Sequence, residues 1–149
     1  MTAKELMKQC EAEEKELKFR EFSSETALAV GMALIEEAKN RNNKICIDIA
    51  IAGRRLFHYS SDGNAVSNDI MIERKKKTAM HTGHSSLWAH YMLEDCGMNI
   101  KEKWALEPSE YAQVGGAFPI RLENCQTAIG TITCSGSVSY THLRAHETK

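Results

Sequence analysis

Gly83-His84-Ser85-Ser86 is the segment with the most direct chemical reading, because its histidine sits at a break between two helical stretches with hydroxyls beside it. An imidazole so placed can be a metal or haem ligand, or a general base, with its second nitrogen oriented by a neighbour. A quieter role fits equally: Ser85 is a good N-cap for the next helix, with His84 hydrogen-bonded to backbone. His81 lies three residues earlier, where an unbroken helix would make the two a metal pair, but Gly83 interrupts it. His58 and His90 read as partly buried structural histidines, and Trp88 and Trp104 as core or interface aromatics rather than cofactor platforms.

A second constellation is Asn68-Asp69 followed by Arg74-Lys75. Residues three and four apart adjoin on a helix, so amide, carboxylate and cations fall on neighbouring faces. Arg74's planar fork could take a carboxylate or propionate, or the whole group could be a solvated, self-compensated helix surface. Gly115-Gly116 before a strand lets a ligand or another chain approach the backbone, or simply makes a tight turn. Pro119 cannot donate to a ladder and marks an edge strand, which invites a subunit contact unless it is blunted. Cys134-Ser135 lacks a Gly-x-Ser-x-Gly elbow, and Cys-x-x-Cys-His is absent, so neither a hydrolase triad nor covalent haem attachment is supported.

The elements that must position these residues are legible from periodicity. Residues 1–19, rich in Glu, Lys and Leu, predict an exposed or partner-packed helix. Ser23 and Ser24 can cap a second helix whose apolar face centres on Leu28, Gly31, Met32 and Ile35, with Ala27, Val30 and Leu34 beside them. From Lys44 the period becomes two, with Ile45, Ile47, Ile49 and Ile51 on one face and Cys46, Asp48 and Ala50 on the other. Ala52-Gly53-Arg54 turns the chain into a returning strand at Leu56–Tyr59. Ser67 or Asn68 should cap a long helix to about Thr82, and a further helix should carry Leu87, Tyr91, Met92 and Leu93 to Gly97. Short helical turns at 99–105 and 108–112 and a second hairpin, 117–122 with 127–134, complete an α+β arrangement with an antiparallel sheet and flanking helices.

Composition narrows the function classes. The 149 residues suit one domain, and a formal net charge of −1 gives no broad basic surface for nucleic acid or an anionic membrane. Five widely spaced cysteines, none in a Cys-x-x-Cys pair, argue against a disulfide framework or structural zinc and point to a reducing cytoplasm. No apolar run reaches the ~20 residues of a membrane span.

The run from Phe57 to Ser135, with Asn68-Asp69, Glu73-Arg74-Lys75, Gly83-His84-Ser85-Ser86 and Gly115-Gly116-Ala117-Phe118-Pro119 in that order, resembles the haem-degrading domain family. The likeness is to its branch of small stand-alone proteins, uncharacterised protein family 0303, related to a secreted haem-binding protein and a glycolate-operon protein. The resemblance implies a profilin-like α/β/α sandwich, a homo-oligomer, and a ligand site drawn from His84, Ser85, Arg74, Lys75, Asn68, Asp69, Gly115 and Gly116. It implies His84 as the metal ligand, and haem or a related tetrapyrrole as the cofactor. Three functions stay open: a small-molecule binding protein, an oligomeric structural or interaction protein without turnover, and a haem-degrading oxidative enzyme. The single domain is expected at 1–137, truncated before the family's closing helix, and 138–149 is expected to be a non-native, adapter-like tail.

Overall fold

The computed structural model describes residues 1–135. The expected non-native tail and the missing closing helix lie outside the described residues. Four strands, β1 (Cys46–Ile51), β2 (Arg54–Ser60), β3 (Ala117–Ile120) and β4 (Gly130–Ser135), form one sheet in the order β2-β1-β4-β3, antiparallel throughout. Both expected hairpins are present, joined edge to edge by β1 and β4, with Cys46 opposite Ser135 and Ile51 opposite Gly130.

The helices are α1 (Ala3–Glu16), α2 (Ser24–Asn40), α3 (Val66–Thr82), α4 (Ser86–Cys96) and the short α5 (Ile100–Trp104). One face of the sheet is covered by α2, where Ile45, Ile47, Ile49, Phe118, Ile120 and Ile132 meet Ala27, Val30, Leu34 and Ile35 in a fully apolar core. The other is covered by α3, with α4 beside it and α1 packed on α4 through Met7, Cys10, Trp88 and Ala89. This is the expected sandwich of helices around an antiparallel sheet.

Several local expectations change. The buried stripe of α2 is Ala27, Val30, Gly31, Leu34, Ile35 and Ala38, while Leu28 and Met32 are 48% and 54% exposed. Gly31 keeps its place in the face, where the ring of Phe57 on β2 packs against it. The N-cap of α3 is Ala65 rather than Ser67 or Asn68, and Asn68 instead closes the first turn by accepting the Ala65 N–H at 2.9 Å. Residues 108–112 keep the expected single turn, with Glu110 and Tyr111 both donating to Glu107 O. His90 is exposed, not half-buried.

Pro119 does lie on an edge strand, and the outer edge is partly covered within the chain at its two ends. The Ala117 N–H donates to Ser86 Oγ at 2.9 Å, Pro119 has no N–H, and Arg121 O accepts from Phe19 N at 2.9 Å. Among the described residues the two strand edges without a strand partner are the outer edges of β2 and β3.

Candidate functional site

The face of the sheet under α3 is buried and polar. Cys46 and Asp48 of β1, and Thr131, Thr133 and Ser135 of β4, alternate with the isoleucines of the opposite face, and all are at most 6% exposed. A β-bulge at Ile49/Ala50 pairs Arg55 with Ala50, which returns Arg55 to the face that carries Asp48. Charged and polar groups of α3 descend onto this surface, with a histidine–carboxylate cluster at each end of the helix. Asp69 near one end of α3 and His84 just past the other are separated by about 20 Å of helix rise.

At the far end, Gly83 closes α3 in the left-handed conformation (φ 73°), a backbone state that glycine adopts without steric cost. Ser85 then caps α4, its Oγ accepting the Trp88 N–H at 3.0 Å. Between them His84 turns its ring onto Trp88, with centroids 4.0 Å apart in a stacked arrangement. Its Nδ1 lies 2.8 Å from Glu14 Oε1, and Glu14 Oε2 accepts the Ser85 N–H at 3.0 Å. Glu14 belongs to α1, is only 4% exposed, and ties that helix to the α3–α4 corner. Arg121 completes the group: Nη2 donates to Gly83 O, Nε to Gln126 O at 3.0 Å, and Nη1 stands 3.7 Å from Glu14 Oε1. An open cleft of about 300 Å³ is lined here by Glu11, Lys15, Lys18, His84, Arg121 and Gln126, with Glu14 at its side. Ser85 caps α4 as expected, yet the His84 ring is held by a carboxylate, not by backbone.

At the near end, Asp48 is fully buried and salt-bridged to Arg55 Nε at 2.7 Å and Lys76 Nζ at 2.9 Å. His58 sits between carboxylates, Nδ1 at 3.2 Å from Asp48 Oδ2 and Nε2 at 3.3 Å from Asp69 Oδ1. Cys46 Sγ donates to the same Asp69 oxygen at 3.2 Å. Burial, then the bond to Asp69, pushes the Cys46 thiol up to about 12. The bond to Asp48 raises Arg55 above its ordinary value.

The remaining residues expected at one site are distributed between these ends. Lys75 is buried beneath β4, donating to Cys134 O at 3.1 Å and packed against Gly116; burial holds its ammonium below the usual lysine range. Asn68 Nδ2 donates to Ser135 Oγ at 3.1 Å. Arg74 spends Nη2 on Pro108 O at 2.6 Å and so anchors the loop that leads to Gly115, which is buried. His81 stands against Tyr111 rather than paired with His84. Among the described residues His84 meets Glu14 and Trp88, whereas Arg74 and Lys75 turn to Pro108 O and Cys134 O.

Glu14 and Arg121 were not singled out from the sequence. A signal for Glu14 existed: Met7, Cys10, Glu14 and Leu17 follow the 3-4-3 spacing of a buried helical stripe, with a carboxylate where an apolar residue would be expected. Arg121 carries no comparable mark.

A family model described as haem degrading protein HbpS-like matches residues 22–141. A UPF0303 protein of Edwardsiella ictaluri is 34% identical over 92% of this chain and 87% of its own length. One of Streptomyces coelicolor is 35% identical over 85% of this chain and 79% of its own. The solved structure of the protein Ybr137w superposes with a TM-score of 0.86 at 31% identity, covering 95% of this chain and 84% of that one. A PduOC–haem complex shares the fold at a TM-score of 0.66 and 17% identity, over 85% of this chain and 91% of that one.

Proposed function

We propose, from the premise that the chain belongs to the HbpS-like haem-degrading family, that it binds haem or a related tetrapyrrole in the cleft beside His84. The observation that carries this reading is the His84–Glu14 pair. A carboxylate 2.8 Å from Nδ1 fixes the ring and leaves Nε2 as the nitrogen available to a ligand. Lys15, Lys18 and Arg121 line the cleft and would hold carboxylate substituents, and His84 would hold the iron.

When bound, haem supplies an iron centre for ligand exchange or redox chemistry. The chain's own residues orient and retain. Glu14 sets the tautomer of His84, with the Nδ1 proton shared toward Oε1. Trp88 fixes the plane of the ring by stacking. Arg121, tethered to Gly83 O and Gln126 O, presents a guanidinium whose position is already set before any ligand arrives. Self-association belongs to the same proposal, with the outer edge of β2 as the strand able to accept a second copy. A reducing, cytoplasmic setting fits five free cysteines, three of them buried. Among the described residues no helix is long and apolar enough to cross a membrane.

Titration of the full-length chain with haemin tests the reading. A saturating Soret shift is expected, lost in His84→Ala and weakened about 10-fold or more in Glu14→Gln. An unshifted spectrum, or binding unaltered by His84→Ala, would overturn it. Adding reductant and oxygen to the saturated complex separates retention from turnover: an intact Soret band leaves binding alone.

A further inference from the structure

We propose that Cys46, His58 and Asp69 form a second, independent site for a divalent cation of borderline softness such as Zn²⁺, at the opposite end of α3 from His84. The donor atoms, Cys46 Sγ, a His58 ring nitrogen and an Asp69 carboxylate oxygen, all lie within 4.8 Å of one another. Thiolate, imidazole and carboxylate together suit Zn²⁺, whereas the hard cations Mg²⁺ and Ca²⁺ are bound through oxygen.

The surroundings of His58 point to a cation independently of that count. Its two ring nitrogens each face a carboxylate, Asp48 at 3.2 Å and Asp69 at 3.3 Å. A neutral imidazole has one proton, so whichever nitrogen holds it, the other directs a lone pair at an anionic oxygen. A metal ion at Nε2 would accept that lone pair. The buried Asp48 is already engaged by Arg55 and Lys76, so it is suited to orient His58 through Nδ1–H rather than to ligate. That is the carboxylate–histidine–metal arrangement in which the outer carboxylate fixes the tautomer and directs Nε2 to the ion. Cys46, fully buried at the floor and bonded to the same Asp69 oxygen, supplies the ligand that selects a metal over a proton.

Charge balances in the metal-bound state. Binding releases the Cys46 thiol proton to solvent, and one thiolate plus one carboxylate offset the two positive charges of the ion. The side chains of His58 and Asp69 are 29% and 44% exposed, which leaves a fourth coordination position on the solvent side. The ion would pin the first turn of α3 to the β1–β2 hairpin, because the three ligands come from β1, β2 and α3.

The test is titration of the chelator-stripped, full-length chain with Co²⁺ and then Zn²⁺. One equivalent of Co²⁺ should bind with a thiolate-to-cobalt charge-transfer band, and Zn²⁺ should bleach it. His58→Gln and Asp69→Asn, at part-exposed positions, should each weaken binding at least 10-fold with the fold retained by circular dichroism. His84→Ala should leave the band unchanged. Absence of the band, or a band that survives His58→Gln, would overturn the site. A doubly protonated His58 ring by NMR in the presence of one equivalent of Zn²⁺ would overturn it as well.

Discussion

Cys46 and Ile47 are neighbours in the chain and lie on opposite faces of one sheet, in surroundings that differ in kind. Ile47 joins a continuous apolar core with α2. Cys46 faces a layer in which Asp48, Thr131, Thr133, Lys75, Thr78 and Ser86 are all buried. The first face holds the fold by area removed from water, a non-directional term that tolerates conservative repacking. The second holds it by directed contacts, where a buried polar group left unmet costs about 1–3 kcal/mol, as at Thr133 Oγ1. Both histidine–carboxylate clusters are reached from this second face or its ends, so the fold concentrates its chemistry where it has given up apolar packing.

The largest break in that comparison should come from Gly116→Val. Gly116 is at φ 139°, and a Cβ there would meet the Cys134 carbonyl and lie 2.8 Å from Lys75 Nζ. Backbone strain and overpacking together should cost on the order of 4 kcal/mol, read as a fall in the urea midpoint or loss of soluble protein. Wild-type stability in this variant would mean the polar layer is loosely packed, and the contrast would fail.

On the apolar face the expected signature is loss of stability without loss of chemistry. Ile49 is fully buried, so Ile49→Ala should cost about 2–5 kcal/mol, with the spread set by how far the core collapses. Haemin and Co²⁺ titrations of the folded fraction should be unchanged. A weakened Co²⁺ response would show that the two faces communicate through β1.

The sequence made the apolar face far more legible than the polar one, for physical reasons. Alternation at Ile45, Ile47, Ile49 and Ile51 identifies β1 and its buried face without tertiary information, and Gly53 marks the hairpin. The β1–β4 pairing has no local signature, since it joins segments far apart in the chain. It decides where Cys46 and Ser135 stand. For the sites, His84 and Ser85 were marked by a helix break, which is local. Glu14, Arg121 and Asp48 act through partners on other elements, and their types suggested only a charged helix, a strand end and the outer face of β1. Lys75 was readable as a helix cation but not as a buried one, because burial depends on β4 passing beneath it.

Lys75 gives the smallest effect and the sharpest test of what the polar layer costs. Lys75→Met keeps most of the volume, loses one hydrogen bond to Cys134 O, and relieves the burial of an ammonium. Terms of about 1 kcal/mol each oppose one another, and the net change at pH 7 should be within about 1 kcal/mol. Its pH dependence is distinctive. Burial lowers the folded-state pKa of Lys75 below the ordinary 10.5, so between the two values the unfolded chain holds more protons than the folded one. Stability attributable to Lys75 therefore rises with pH through that window, and below it the cost of the buried charge is fully present. Thiols such as Cys46, pushed up to about 12, act in the opposite direction as pH rises past their ordinary value near 9.0. They act in both proteins, so that only their coupling to the Lys75 charge remains in the difference. Urea unfolding of wild type and Lys75→Met side by side should thus show the variant faring best near neutrality and losing that relative advantage as pH approaches 10.5. A difference independent of pH would mean that Lys75 carries no desolvated charge, and that the layer under α3 is wetter than its burial implies.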